Sequence, residues 1–124
     1  MIDTNVVSDY LSASLPTKGL ELMDLIINAI PKISIITQIE LLCWNTDPYT
    51  SQNIKDFIQD CIIYDITPAV VTHCVFLRKN RKIKTPDATI AVSALAHNLT
   101  LVTNNEKDFI NIKGLKVLNP NKLQ

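Results

Sequence analysis

The chain has 124 residues, a length that suits one domain with a continuous core. Hydrophobic residues make up 47% and glycines number only two, a balance that suits a compact, helix-rich soluble protein. Lysine plus arginine equals aspartate plus glutamate, 12 against 12, so the average charge announces no nucleic-acid partner and any such contact must rest on local clusters. No apolar stretch is long enough to span a membrane. An acid interrupts the first apolar residues, so no leader is expected either, and cytoplasmic residence is.

Taken in chain order, strands and helices alternate. Met1–Thr4 predicts a very short strand, with only Met1 and Ile2 ahead of Asp3. A helix follows over 5–14, where Val6, Val7, Tyr10 and Leu11 have helical spacing, and Pro16 with Gly19 marks a break. Leu20, Met23, Ile27 and Ile30 give a second helix with a 3–4 period. KISIIT (32–37) is a β-branched run and reads as a buried strand. A third helix then starts at Thr37, because TQIE fits the Thr-x-x-Glu capping pattern with Glu40 at the third helical position.

Asp47-Pro48 ends that helix, and residues 50–60 form the next. CIIYDI is a third strand. Pro68 opens a helix whose apolar positions Val71, Val75 and Phe76 lead into RKNRKIK (78–84), five cations in seven positions. KTPDATIAVSALAHN is the clearest helix, with Thr85 as cap, Pro86 at the first helical position, and Ile90, Ala94 and Leu95 facing inward. LTLVT is a fourth strand, TNNEKDF a polar turn or short helix, and LKVLNP a final short strand. Apolar strands separated by helices predict an α/β sandwich with a mainly parallel sheet, and no linker divides residues 1–124. Cys43, Cys61 and Cys74 form no CxxC pair or zinc pattern and read as reduced, mostly buried thiols.

Parallel sheets collect functional groups at the C-terminal edge of their strands. Asp3 ends the first strand, Glu40 lies just past the second, Asp87 opens the long helix, and Asp108 lies on the turn after the fourth strand. Each has a local explanation: Asp3 as a cap, Glu40 in a capping box, Asp87 in a helical first turn where negative charge is favoured, Asp108 as an ordinary turn residue. Their separations of 37, 47 and 21 residues rule out surface pairing along one helix, so only the folded sheet brings them together. Clustered carboxylates repel and raise one another's pKa. A divalent cation resolves that conflict, and hard Mg²⁺ or Mn²⁺ prefers carboxylate oxygens. No G-x-S-x-G, Walker loop or HExxH competes for the chemistry.

Four motifs in this order carry a resemblance: Asp-Thr-Asn at the start, ITQIELL in the first third, TPDATIA before the long helix and LVTNNEKDF near the end, with GLKVLNP closing the pattern. Over essentially its whole length the chain resembles the PIN domain and, within it, the VapC toxins of bacterial type II toxin–antitoxin systems. The resemblance implies a single three-layer α/β/α sandwich with about four to five strands in its sheet. It further implies a Mg²⁺- or Mn²⁺-dependent endoribonuclease held inactive by a VapB-type antitoxin, and a homodimer. Carried over by position, Asp3, Glu40 and Asp87 match the acids around the metal. Asp108 matches the fourth acidic position loosely, and either Asn105 or Asp108 faces the metal. Asn5, Thr103 and Asn105 are expected to orient the acids and metal-bound waters. Two departures stand out: the first strand is unusually short, and Asn105 occupies a place where some relatives carry Asp, which favours one-ion chemistry.

Arg78, Lys79, Arg81, Lys82 and Lys84 are candidates to hold RNA phosphates; the alternative is a solvated helix end where cations are favoured. His73 and His97 read as structural, and Trp44 and Tyr49 as packing residues rather than base-stacking ones. Two rival functions stay open. One is a non-catalytic PIN-like interaction module. The other is a phosphoryl-transfer enzyme with Asp3 as nucleophile, which lacks the expected second acid because Asn5 stands in its place.

Overall fold

In the computed structural model, which describes residues 1–123, the first three residues lie in the middle of a parallel sheet. Ile2 N donates to Lys32 O (3.0 Å), Asp3 N to Val102 O (2.9 Å) and Val102 N to Met1 O (2.8 Å). These bonds join two parallel ladders. One pairs β1 (Lys32–Ser34) with β2 (Ile62–Tyr64), in the register Lys32↔Ile62 to Ser34↔Tyr64. The other pairs β3 (Leu101–Val102) with β4 (Val117–Leu118). The first strand of the sequence reading is thus reduced to a single bridge, Ile2↔Val102.

Successive side chains on an extended strand point to opposite faces, and this alternation divides the core. Met1 and Leu101 pack with Val70, Ile83, Ile90 and Phe109 on one side. Ile2 and Val102 pack with Val6, Met23, Ile33, Leu41 and Phe57 on the other. The first side is covered by α5 (Pro68–Asn80) and α6 (Thr85–Ala96). The second is covered by α1 (Thr4–Leu11), α2 (Thr17–Asn28), α3 (Ile35–Leu42) and α4 (Pro48–Asp60). A single turn, α7 (Glu106–Phe109), follows β3, and a 3₁₀ turn at Pro120–Lys122 follows β4. Helices on both faces of a parallel sheet give the α/β sandwich expected from the sequence. No helix among the described residues is long and apolar enough to cross a membrane.

Several boundaries differ from the sequence reading for identifiable reasons. The strand expected over 32–37 stops at Ser34, whose hydroxyl accepts from Ile36 N (3.1 Å) and caps α3 three residues early. Thr37 is therefore inside the helix and buried, and no Thr37–Glu40 capping box forms. The cap of α6 is Lys84, not Thr85, and it makes no side-chain cap bond. Gly19 does not break the chain but lies within α2, where a Cβ would stand 2.5 Å from the Pro120 carbonyl oxygen. Ile30 lies beyond α2 at φ +64°, and it is exposed. On α5 the buried residues are Val70 and Cys74, while the apolar Val71, Val75 and Phe76 face outward. Of the three thiols only Cys74 is buried; Cys61 is half-buried and Cys43 exposed.

Candidate active site

Asp3 is at the C-terminal end of the first strand segment and is only 5% exposed. Its two oxygens have separate partners. Oδ1 accepts from the backbone N–H of Thr4 (2.8 Å), so Asp3 caps α1, and Oδ2 accepts from Thr103 Oγ1 (2.8 Å) at the end of β3. The two local readings of this carboxylate are therefore both realised: it caps a helix and stands at the sheet edge.

From Asp3 a chain of hydrogen bonds runs both ways. Thr4 Oγ1 donates to Glu40 Oε1 (2.7 Å) and stands 3.1 Å from Thr37 Oγ1. A hydroxyl has one proton and a carboxylate only accepts, so Thr37 supplies the proton of the second bond. In the other direction Thr103 Oγ1 accepts from Asn105 N (3.0 Å), and Asn105 Nδ2 donates to Asp108 Oδ2 (2.7 Å). Glu40, Thr4, Asp3, Thr103, Asn105 and Asp108 thus form one connected array drawn from both ends and the middle of the chain. Asp87, in the first turn of α6, joins it through charge.

The groups also act on one another through charge. Burial pushes the Asp3 carboxyl above its usual value, against the hydrogen bonds from Thr103 and Thr4, and the charges of Glu40 and Asp108 add to the rise. Asp87 is pushed up to about 6, first by desolvation, then by the charges of Asp3, Asp108 and Glu40, with Lys84 pulling the other way. Asp3, Glu40 and Asp108 are thus linked through hydrogen bonds at one edge of the sheet, and Asp87 feels their charges without a bond to them. Among the described residues no three His, Cys, Asp or Glu side chains close up into a ready-made metal-holding group. The donor chemistry nonetheless fits a hard divalent cation: the gathered groups are oxygen-only, and their charges disfavour one another's ionisation.

A family model described as the PIN domain matches residues 1–115. The chain belongs to the PIN domain family. Solved structures share the fold. A toxin–antitoxin complex from Klebsiella pneumoniae is 30% identical at a TM-score of 0.77, with 98% of each chain covered. VapBC2 from Rickettsia felis, bound to a DNA fragment from their promoter, is 26% identical at a TM-score of 0.76, with 96% of each chain covered. VapBC-1 from nontypeable Haemophilus influenzae is 24% identical at 0.74, with 98% of each chain covered. No curated protein matches the chain.

Within this PIN domain the expected orienting residues divide. Thr103 donates to Asp3 and Asn105 to Asp108. Asn5 is exposed, and its hydrogen bond is a backbone one, its carbonyl accepting from Ser8 Oγ. The hydroxyl of the preceding Thr4 bonds Glu40 and Thr37 instead, a role sequence reasoning missed although Thr4 adjoins Asp3. The basic run divides too. Lys79, Lys82 and Lys84 are exposed, whereas Arg78 Nε donates to Ile83 O (3.0 Å) and Arg81 is turned inward onto the backbone of α7. His97 packs its ring against Tyr64 at 3.9 Å between centroids, a structural use. Trp44 is half-buried against the core, while Tyr49 is exposed.

Proposed function

We propose that this PIN domain is a Mg²⁺- or Mn²⁺-dependent endoribonuclease, the toxin of a VapBC-like toxin–antitoxin pair. The observation that carries the proposal is the buried Asp3 carboxylate, tied through Thr4 to Glu40 and through Thr103 and Asn105 to Asp108, with its charge felt by Asp87. A bound divalent ion supplies charge neutralisation and an activated water at such a cluster. Asp3, Glu40, Asp87 and Asp108 would hold it. Thr4, Thr103 and Asn105 fix carboxylate orientations, and Asp3 keeps both oxygens oriented by donors on opposite sides. Lys79, Lys82 and Lys84 are free to meet phosphates, at a location next to the first turn of α6.

The solved neighbours are toxin–antitoxin complexes, which supports a VapB-type antitoxin as partner. Leu25, Ile39 and Leu42, exposed on α2 and α3, offer apolar area for that partner or for a homodimer. The test is cleavage of a defined RNA panel with Mg²⁺, with Mn²⁺ and with chelator. Asp3→Asn is expected to abolish metal-dependent cleavage and to keep a similar melting temperature, because an amide oxygen still accepts from Thr4 N. Undiminished cleavage by that variant overturns the assignment. Failure of the unsubstituted chain to bind Mn²⁺ at millimolar levels would make it a non-catalytic interaction module instead.

A further inference from the structure

We infer that Arg81 is a positioning residue for the acid-bearing turn α7, not a phosphate contact; as far as catalysis goes, the inference rests on the function proposed above. Arg81 follows α5 in an extended conformation, with its N–H on Leu77 O (3.0 Å). Its guanidinium crosses to a segment nearly thirty residues away: Nη1 donates to Ile110 O (2.6 Å) and Nη2 to Asp108 O (2.9 Å). Asp108 belongs to α7 and Ile110 is its C-cap, so the two accepting carbonyls are among those a helix end leaves without partners. A cation at a helix C-terminus is also favoured by the helix dipole.

Four further observations give the contact its meaning. A single helical turn does not hold its shape alone in water, and α7 has no side-chain cap at its start. Its other anchors are the buried Phe109, the bond from Asn105 Nδ2 to Asp108 Oδ2 (2.7 Å), and an ion pair between Glu106 and Lys122 (2.7 Å), whose side chains are half-buried and exposed respectively. Among the described residues no carboxylate forms an ion pair with Arg81. Its Nε is buried without a partner, so the two carbonyls alone fix the fork.

The loop that Arg81 opens is itself fixed, since Arg78 Nε holds Ile83 O (3.0 Å) and Ile83 is buried. That loop leads directly to Lys84 and the start of α6, where Asp87 stands. Arg81 therefore ties α7 to a loop that Arg78 holds, and that loop leads into the second acid-bearing segment. Asp108 on α7 is held relative to Asp87 on α6, and Asn105 is held with Asp108. A lysine cannot reproduce this, because its ammonium is a point charge without a planar fork.

The test compares Arg81→Gln and Arg81→Lys with Lys82→Gln, an exposed neighbour in the same basic run. For Arg81→Gln we expect amide hydrogen exchange over 106–112 to accelerate about tenfold and Mn²⁺ affinity to fall about tenfold. Turnover of RNA should drop by a similar factor with KM nearly unchanged, as befits an orienting group. Arg81→Lys is expected to rescue none of these. Lys82→Gln should instead raise KM and lower the salt dependence of binding, leaving exchange in α7 alone. A raised KM with unchanged turnover in Arg81→Gln, rescued by lysine, would make Arg81 a phosphate contact and overturn the inference. So would unchanged exchange over 106–112. If Arg81→Gln fails to fold, exchange in Arg81→Lys decides. If the unsubstituted chain neither cleaves RNA nor binds Mn²⁺, the proposed function fails, while faster α7 exchange in the variant still upholds the clamp.

Discussion

Asp87 keeps its proton up to about pH 6, because burial and three neighbouring carboxylates all disfavour its charge. The unfolded chain gives up that proton near 3.8. Between those values the folded state binds more protons than the unfolded one, so stability is fullest below about 4 and falls as pH rises through about 6. Asp3 acts in the same direction. Urea titrations of metal-free protein across this window are expected to show that decline. Asp87→Asn should flatten it and stabilise the chain at pH 7 by about 1 kcal/mol once solvent screening is allowed for. Thr4→Val removes the hydroxyl shared by Glu40 and the buried Thr37, and should cost about 1–2 kcal/mol in the same assay, with Thr4→Ser close to the unsubstituted chain. The acids themselves were legible in the sequence, since their positions relative to strand ends follow from the alternation of elements. Thr4 and Arg81 were not. A hydroxyl beside an acid, or one cation among five, gains its role from a side-chain direction that only the folded backbone fixes.

Boundaries of elements were less legible than their order. Ser34 and Thr37 both precede a helical pattern, and either is a favoured cap. The sequence reading chose the one followed three places later by Glu. In the fold Ser34 caps α3, which frees Glu40 from capping and turns it toward Thr4. On α5 the apolar residues Val71, Val75 and Phe76 and the buried Val70 and Cys74 lie on adjoining positions, so periodicity alone does not tell which stripe meets the sheet. Gly19 was misread as punctuation because glycine in a turn and glycine at a close approach look alike in sequence. Its helix packs against the 3₁₀ turn so tightly that an added methyl meets backbone. Gly19→Ala is therefore expected to lower the melting temperature by several degrees, an overpacking cost of about 1–3 kcal/mol, although alanine is intrinsically the better helix former by about 1 kcal/mol.

At the scale of the whole molecule, the parallel sheet gathers the negative charge at one edge, and helices cover its two faces. A cation held at that edge should therefore act as a fold stabiliser as well as a reagent. Free Mn²⁺ at a hundredfold excess over its dissociation constant is expected to stabilise the chain by about 2–3 kcal/mol at pH 7, an effect read by calorimetry that Asp3→Asn should abolish. A melt indifferent to Mn²⁺ would count against a metal centre. The pairing of Ile2 with Val102 carries a further consequence. The two partners lie a hundred residues apart in the chain, and closing so large a loop is slow. On the β3 side residues 1–3 stay unpaired until that strand is in place, although Ile2 already meets Lys32 on the other side. A chain cut short before β3 therefore lacks both this pairing and Thr103, and does not assemble the acidic centre.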